Sequence, residues 1–380
     1  MKIAYCTNSI DVVGGMEMAI LTKANAFAAA GYKVWLLVEN CAGSPILPLR
    51  EGVEVVNLNV RYDAPTSRLS IIVNQLKRQR DHRRKLKKAL NAIAPDILIT
   101  TGRSEKFFID RLKIDSNPIR IREFHENSGK RQQEKSPVGG AWVSKMLDKV
   151  EFGYGLRHTD AVVLLTEEDR RAHWQGRRGV YVIPNALREK PTEVSSQDEK
   201  VVTTLGRLSH EKNHASLLRA WKMVVARHPE WRLNIFGDGP ERDALTQEMT
   251  QLGINDSAEL MGSTAHAFHA LSQSSIFAFT SLREGFGMAI VEAMACGLPV
   301  VSYRCPCGPA DIISDGKNGF LVALNDEKTL AECLCQLIEN PQLRRQMAAE
   351  AIKTAEKYDL QNITAQWIQL FHQLQKSAKS

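Results

Sequence analysis

Short apolar runs alternate with longer segments of helical period along the whole chain, and this alternation restricts the fold more than any other feature. The runs typical of strands begin at residues 2–7 and end at residues 181–183, and a second series extends from residues 201–205 to residues 299–302. Strands that alternate with helices form parallel sheets covered by helices on both faces. The sequence therefore predicts two doubly wound, Rossmann-like α/β domains.

A polar stretch separates the two series. Residues 188–200 contain Pro and Ser and lose the apolar pattern, as expected of a linker. A length of 380 residues also suits two domains at roughly 150 residues each. We therefore expect a first domain over 1–188, a second over 189–357, and a terminal helix over 358–380 that packs back on the first. Ligands of such sheets bind outside the carboxyl ends of the strands, so we expect a central cleft that both domains face.

Composition excludes several classes of protein. The chain is 43% hydrophobic and 24% charged, close to the globular average. No window reaches about 18 uncharged apolar residues, so no transmembrane segment or export signal is expected. The seven cysteines include no Cys-x-x-Cys pair, which argues against a zinc ribbon or a disulfide framework and favours a reducing cytoplasm.

Positive charge is concentrated in the first half. Residues 1–190 carry 32 Lys and Arg against 21 Asp and Glu, whereas the remainder is slightly acidic. This asymmetry suggests an anionic partner, and we favour lipid headgroups, which attract basic residues near a membrane by about 1 kcal/mol each. A solvated outer helix is the alternative, and nucleic-acid binding is not expected because no aromatic residues are interleaved. The cations concerned are Lys77, Arg78, Arg80, Arg83, Arg84, Lys85, Lys87 and Lys88.

Three segments are candidates for binding chemistry. Gly14 and Gly15 stand at a helix entrance, where backbone amides can approach an anion, although an ordinary loop is equally compatible. In the second half Gly206 ends a strand and is followed by Arg207 and Lys212, two cations that can converge on a diphosphate. A solvated loop is the alternative there.

The third segment, residues 281–300, is the most specific. A strand leads into a glycine-rich turn that contains Glu284, and a helix from about Gly287 carries Glu292 among apolar neighbours. A carboxylate in an apolar helix is costly without partners, so a binding role for Glu292 is favoured over a structural one. Sugar hydroxyls are suitable partners for such carboxylates, and the loop amides and helix N-terminus suit phosphate.

With these motifs the sequence resembles the retaining glycosyltransferases of family 4, which have the GT-B fold. The likeness covers most of the chain and is densest over residues 201–322. It depends on the E-x7-E pair Glu284 and Glu292, on Gly206-Arg207 with Lys212, and on three glycine-bearing segments: residues 237–240, residues 305–322 and Gly14-Gly15.

The resemblance implies a role for each matched residue. Arg207 and Lys212 would hold the diphosphate of a nucleotide sugar, Glu292 would accept from the ribose diol, and Glu284 would lie close to the donor sugar. The remaining implied donor contacts are Gly206, Gly237, Phe286, Gly287 and Met288. Gly14 and Gly15 would close the diphosphate site from the first domain, and His125, which follows a strand, matches a family histidine near the anomeric centre.

The resemblance also implies the reaction. The chain contains no Asp-x-Asp motif, so the fixed cations are expected to replace a metal, with no cofactor required. The acceptor hydroxyl would attack from the face that the phosphate leaves, which retains the configuration. We predict transfer of a hexose or N-acetylhexosamine, most simply from a UDP-sugar, to a lipid-linked or surface polysaccharide such as capsule or lipopolysaccharide. The protein would be cytoplasmic and peripheral at the inner face of the plasma membrane.

Two other functions fit the same features. A nucleotide-sugar epimerase or hydrolase would use the same fold without an acceptor. A non-catalytic subunit that binds carbohydrate or nucleotide is a third possibility, but the presence of Glu284, Arg207 and Lys212 argues against it.

Overall fold

The computed structural model describes residues 1–12, 14–60, 68–101, 104–126, 128 and 156–379, with the backbone alone for residues 68–75, 106, 107 and 379. Two compact units account for the chain. The first consists of Met1–Arg188 together with Leu360–Ser380, and the second of Glu189–Asp359. They are called the first and second domains below.

The first domain is built on a parallel sheet. Over the described residues the strand order is β3-β2-β1-β4-β5-β6-β7. Ile3 in β1 pairs with Val34 on one side and with Ile97 on the other, so β1 lies inside the sheet. Most inner strand residues are buried, as expected of strands covered on both faces. The strands are β1 (Lys2–Thr7), β2 (Lys33–Val38), β3 (Val53–Asn57), β4 (Ile97–Thr100), β5 (Ile119–Glu123), β6 (Ala161–Leu164) and β7 (Val180–Val182).

Helices cover this sheet, and one of them comes from beyond the second domain. The described helices are α1 (Gly15–Ala29), α2 (Arg68–Ile93), α3 (Glu167–His173) and α11 (Leu360–Lys379). Helix α11 buries Trp367 and Phe371 in the same core as Phe27 of α1, with ring centroids 6.1 Å and 5.3 Å from that of Phe27. Edge-on aromatic pairs of this kind add to the free energy of burial. The core of the first domain therefore includes residues from α11.

The second domain repeats the architecture. Its described strands run parallel in the order β10-β9-β8-β11-β12-β13, around a core that contains Trp221. The strands are β8 (Val201–Leu205), β9 (Arg232–Phe236), β10 (Ala258–Gly262), β11 (Ile276–Phe279), β12 (Val300–Tyr303) and β13 (Gly319–Val322). The helices are α4 (His214–Val225), α5 (Arg242–Leu252), α6 (Ala267–Ser272), α7 (Met288–Ala295), α8 (Pro309–Ile312), α9 (Glu327–Glu339) and α10 (Pro341–Ala355).

The structure confirms the fold class predicted from the sequence, two doubly wound α/β domains with parallel sheets. The helical period of the sequence predicts that Leu76, Leu86 and Leu90 lie on one thin apolar seam of the basic helix α2. In the structure Leu86 and Leu90 are buried, but Leu76 is 61% exposed. Among the described residues, no helix combines the length and the apolarity that crossing a bilayer would require.

Candidate functional site

The carboxyl edge of the second sheet brings two glycine turns together. β8 ends at Leu205 and β9 at Phe236, and Gly206 and Gly237 follow them directly. Gly237 adopts a φ of 146°, and a Cβ at this position would collide with the carbonyl oxygen of Gly206. Only glycine allows two backbones to approach this closely. The family resemblance implied both glycines as donor contacts, and in the structure they are in contact with each other.

Lys212 and Glu284 meet at the same edge. The Lys212 ammonium donates to Glu284 Oε1 at 2.6 Å, with side chains that are 27% and 12% exposed. The aliphatic part of Lys212 lies over Gly206, its Cδ 3.4 Å from the position that a Cβ there would take. Its ammonium is 5.6 Å from the ring centroid of Phe279. A phosphate is a stronger partner for this cation than one partly exposed carboxylate.

Hydrogen bonds to backbone carbonyls fix the loops around this pair. Leu282 N donates to the carbonyl of Glu211 at 2.8 Å, and Thr280 Oγ1 donates to the carbonyl of Lys212 at 3.2 Å. Glu284 N donates to the carbonyl of Pro306 at 3.2 Å. The loops that follow β8, β11 and β12 therefore form one connected surface.

The glycine-rich turn after β11 leads into α7. Gly287 caps the helix with a φ of 98°, in the left-handed region that favours glycine. Phe286 is buried, and its carbonyl occupies the place where a Cβ of Gly308 would lie. Met288 begins the helix, so the amides of residues 286–288 stand at its N-terminus, where the helix dipole favours an anion.

Glu292 lies half-buried in the middle of α7, between the buried side chains of Val291 and Ala293. Burial, and then the Glu292 carboxylate, raise the pKa of the Cys296 thiol to about 12. Cys296 follows Glu292 by one turn, directly after the last residue of α7.

Arg207 is exposed on the loop after Gly206. This loop is closed by hydrogen bonds from Leu208 N to the carbonyl of Asp238 and from Lys212 N to the carbonyl of Ser209, at 3.0 Å and 2.9 Å. An exposed guanidinium on an ordered loop is available to an anionic ligand.

His214, which sequence reasoning missed, packs against the same loop at Gly206. It is buried at the start of α4, and its Nε2 is 3.7 Å from the position of a Cβ on Gly206. Burial lowers the pKa of His214 to about 4, the backbone of Arg207 opposes this shift, and Lys212 adds to it. A histidine two residues after Lys212, in an otherwise apolar helix start, was the available signal.

The predicted residues of the first domain follow β1 and β5. Gly14 is the N-cap of α1 and Gly15 its first residue, and a Cβ on Gly15 would meet no atom within 4 Å. The carboxylate of Glu17 lies against Gly14, where it already meets the positive end of the helix. His125 follows β5, with its Nε2 3.4 Å from Glu123 Oε1.

Comparison with family models and curated proteins finds similarity to glycosyltransferases. Residues 187–354 match the model described as "Glycosyl transferases group 1". An uncharacterised glycosyltransferase of Haemophilus influenzae is 26% identical over 96% of this chain and 98% of its own length. An exopolysaccharide phosphotransferase of Streptomyces coelicolor is 28% identical over 98% of this chain, and the amylovoran biosynthesis glycosyltransferase AmsD of Erwinia amylovora is 30% identical over 57%. The chain spans only 41% and 62% of the lengths of these last two relatives.

Solved structures show the same fold. Sucrose-phosphate synthase of Thermosynechococcus elongatus superposes with a TM-score of 0.80 at 18% identity, covering 99% of each chain. HepE of Anabaena, solved in complex with UDP, superposes with a TM-score of 0.75 at 20% identity, covering 98% of this chain and all of its own. The chain thus has the GT-B fold, and its residues 187–354 are similar to the group 1 glycosyl transferases.

Proposed function

We propose, from this similarity, that the chain is a retaining glycosyltransferase of the family 4 type. It would transfer a hexose or N-acetylhexosamine from a UDP-sugar to a lipid-linked or surface polysaccharide. The observation that carries the proposal is the ion pair between Lys212 and Glu284 at the glycine-lined edge of the second sheet, within the region that matches the family. Relatives named for exopolysaccharide and amylovoran support a polysaccharide acceptor, and HepE in complex with UDP supports the base.

In this proposal the diphosphate takes the place of the carboxylate on Lys212. Arg207 supplies the planar fork of a guanidinium and Lys212 a point charge, so both stabilise the negative charge that develops as UDP leaves. The amides of Phe286, Gly287 and Met288 add the dipole of α7. Gly206 and Gly237 keep the floor of the site free of side chains.

The two glutamates have different roles. Glu284, released from Lys212, would accept from hydroxyls of the donor sugar, and Glu292 would accept from the ribose diol. The acceptor hydroxyl would attack from the face on which the phosphate departs, and the phosphate would take its proton. Of the first-domain residues, His125 would act near the anomeric centre, and Gly14 with Gly15 would meet the diphosphate.

The reaction is proposed to be independent of metal ions. Arg207 and Lys212 would supply at the proposed phosphate site the positive charge that a divalent ion supplies in other transferases. Transfer should therefore continue in excess EDTA with product yields unchanged. A strict need for Mg²⁺ or Mn²⁺ in the chemical step would contradict this part of the proposal.

The basic helix α2 is proposed to attract an anionic membrane at the inner face of the plasma membrane, where a lipid-linked acceptor would lie. Its buried side, with His82, Leu86 and Leu90, faces the domain, and the opposite side is cationic. Asp81 pairs with Arg84 at 2.7 Å and Lys85 at 2.9 Å, which leaves most of the positive charge uncompensated. The exposed cations on that side are Lys77, Arg80, Arg83, Arg84, Lys87 and Lys88.

Vesicle sedimentation tests the membrane proposal. Wild type should sediment with phosphatidylglycerol-containing vesicles at low salt and not with phosphatidylcholine alone, and Arg80→Glu combined with Lys87→Glu should abolish sedimentation. The matched control is Lys328→Glu combined with Lys357→Glu in the second domain, which should sediment as wild type does. Equal loss in both double variants would assign the effect to net charge rather than to α2.

A panel of nucleotide sugars tests the enzymatic proposal. The true donor should raise the melting temperature by mass action, and added glycan acceptor should then give a product with a retained anomeric configuration. Consumption of the donor without an acceptor would instead favour an epimerase or hydrolase. Binding without turnover under any acceptor condition would favour a non-catalytic subunit.

A further inference from the structure

A fully buried carboxylate ends strand β5 in the first domain. Glu123 has no exposed surface, and each of its oxygens is taken: Oε2 accepts from the Tyr5 hydroxyl and Oε1 from the Lys23 ammonium. These partners come from β1 and α1, so two different elements fix the position of the carboxylate. A carboxylate held in this way has little freedom to turn.

Lys23 is itself shielded from water. Its ammonium lies 5.2 Å from the ring centroid of Trp367 in α11 and 5.8 Å from that of Tyr5. Charges that are screened so little interact more strongly than a surface pair. Burial of such a pair is expensive for the fold, and a hydrophobic replacement of equal volume is often as stable. The presence of the pair therefore calls for a role besides stability.

His125 lies next to the Lys23–Glu123 pair and indicates what this role is. Its Nε2 is 3.4 Å from Glu123 Oε1, and its side chain is 4% exposed. Within the described part of the chain neither ring nitrogen has a hydrogen-bond partner. The ring thus stands beside a fixed carboxylate, and the described residues leave its hydrogen-bonding capacity unused.

A second buried pair on the same strand provides a comparison. Arg122 points to the opposite face of β5 and lies 3.0 Å from Asp110, which also accepts from Thr159. It is nearly as deeply buried as Glu123, but no hydrogen bond or ion pair between described residues joins it to His125. Variants of the two pairs can therefore be compared: a change in either pair disturbs a buried ion pair, but only a change in Glu123 removes the carboxylate beside His125.

We infer that Glu123 is a positioning residue for His125, with Lys23 and Tyr5 holding Glu123 in turn; the inference rests on the proposed function. The carboxylate favours a proton on Nε2 and leaves the lone pair on Nδ1, so the ring meets the substrates in one tautomer and one orientation. Helix α11 takes part because Trp367 covers Lys23.

Nitrogen NMR of the imidazole ring tests this without any turnover. In ¹⁵N-histidine protein, the His125 signals, assigned by their loss in His125→Gln, should show a protonated Nε2 in wild type and a changed tautomer balance in Glu123→Gln. Asp110→Asn should leave these signals unchanged. Identical His125 spectra in wild type and Glu123→Gln would overturn the inference.

Kinetics provide the second readout. In Glu123→Gln, kcat should fall at least about tenfold with the donor KM nearly unchanged, as expected when a group that acts in the chemical step loses its orientation. Glu123→Asp should recover part of this loss, and Asp110→Asn should retain the wild-type kcat even if its melting temperature falls as far. An equal kcat loss in Asp110→Asn would reduce Glu123 to a structural residue.

Tyr5→Phe keeps the experiment decisive if Glu123→Gln does not fold. It removes one donor to Glu123, leaves Lys23 in place, and should give a smaller kcat loss with altered His125 signals. Unaltered signals and kcat in a folded Tyr5→Phe would contradict the inference. A wild type that turns over no nucleotide sugar would refute the proposed function instead, and the NMR result would stand separately.

Discussion

The ammonium of Lys212 lies 2.6 Å from Oε1 of Glu284, so the cation assigned to the diphosphate already has an anionic partner. In the proposed function, binding of the donor would be an exchange, in which phosphate oxygens replace a carboxylate and the carboxylate turns to the sugar. Both side chains are partly exposed, which keeps the free energy of the resting pair small. The proposed exchange would bring Glu284 to the donor sugar only when the diphosphate is present.

Loss of either cation should weaken UDP binding. We expect Arg207→Ala and Lys212→Ala each to reduce the binding free energy by about 1.5–3 kcal/mol, as is typical of a charge-assisted hydrogen bond. Isothermal titration calorimetry with UDP measures this. Lys222→Ala, an exposed cation on α4, is the control and should bind as wild type does. Unchanged affinity in both site variants would refute the assignment.

Neutralising Glu284 should separate binding from turnover. Glu284→Gln releases Lys212 and removes a negative charge from the phosphate site, so UDP affinity should be equal to or higher than that of wild type. The catalytic rate should fall on the order of 100-fold, because the amide cannot replace the carboxylate near the reacting sugar. Calorimetry and steady-state kinetics on one preparation measure the two effects. Weaker UDP binding in this variant would contradict the exchange.

The close approach of two backbones should make Gly237 irreplaceable. Gly237→Ala combines an unfavourable φ with a collision against the Gly206 carbonyl, so it should reduce stability by at least about 3 kcal/mol. Gly253→Ala is the matched control, since Gly253 has a positive φ in open space and should cost about 1 kcal/mol. Thermal unfolding compares them, and equal losses would show that the collision is relieved.

Acid should destabilise the fold through His214. Its pKa of about 4 in the folded protein lies below the 6.5 of an unfolded histidine. The contribution of the neutral, buried imidazole to the stability of the fold is therefore fully present above pH 6.5. Between pH 6.5 and 4 only the unfolded state takes the proton, and stability falls by about 2 kcal/mol between pH 7 and pH 5. Denaturant unfolding at both pH values should show a smaller decrease in His214→Gln than in wild type.

The control for this pH effect is His173→Gln, which removes an exposed histidine of α3. It should lose as much stability on acidification as wild type does. If His214→Gln also behaves as wild type, the acid sensitivity belongs to other groups, such as carboxylates or the buried His82, whose pKa burial lowers to about 4.

The fold was readable from the sequence because apolar periodicity reports burial directly. The predicted strands at residues 2–7 and 201–205 have the bounds observed for β1 and β8. Strand β13 was not predicted as a strand, since its four residues follow a turn-rich segment. Leu76 was placed on the wrong side of α2, because a helical pattern alone does not show where packing ends.

The candidate site was readable only in part. The glycines and charged residues of the loops led to the prediction of Gly206, Lys212 and Glu284 as site residues. Lys212 and Glu284 are far apart in the chain, so no local pattern shows that they form an ion pair. Glu123 was passed over because its strand reads Ile-Arg-Ile-Arg-Glu, in which a charged residue gives no distinct signal, unlike Glu292 among apolar neighbours. Its partners Tyr5 and Lys23 lie on other elements, and only the tertiary structure brings them together.

Helix α11 also has a consequence for biosynthesis. Phe27 of the first domain meets Trp367 and Phe371, which leave the ribosome only after the whole second domain has been translated. The usual order, in which the domain made first also folds first, cannot be completed here. The nascent first domain waits with an open apolar face, where a chaperone can bind until α11 arrives.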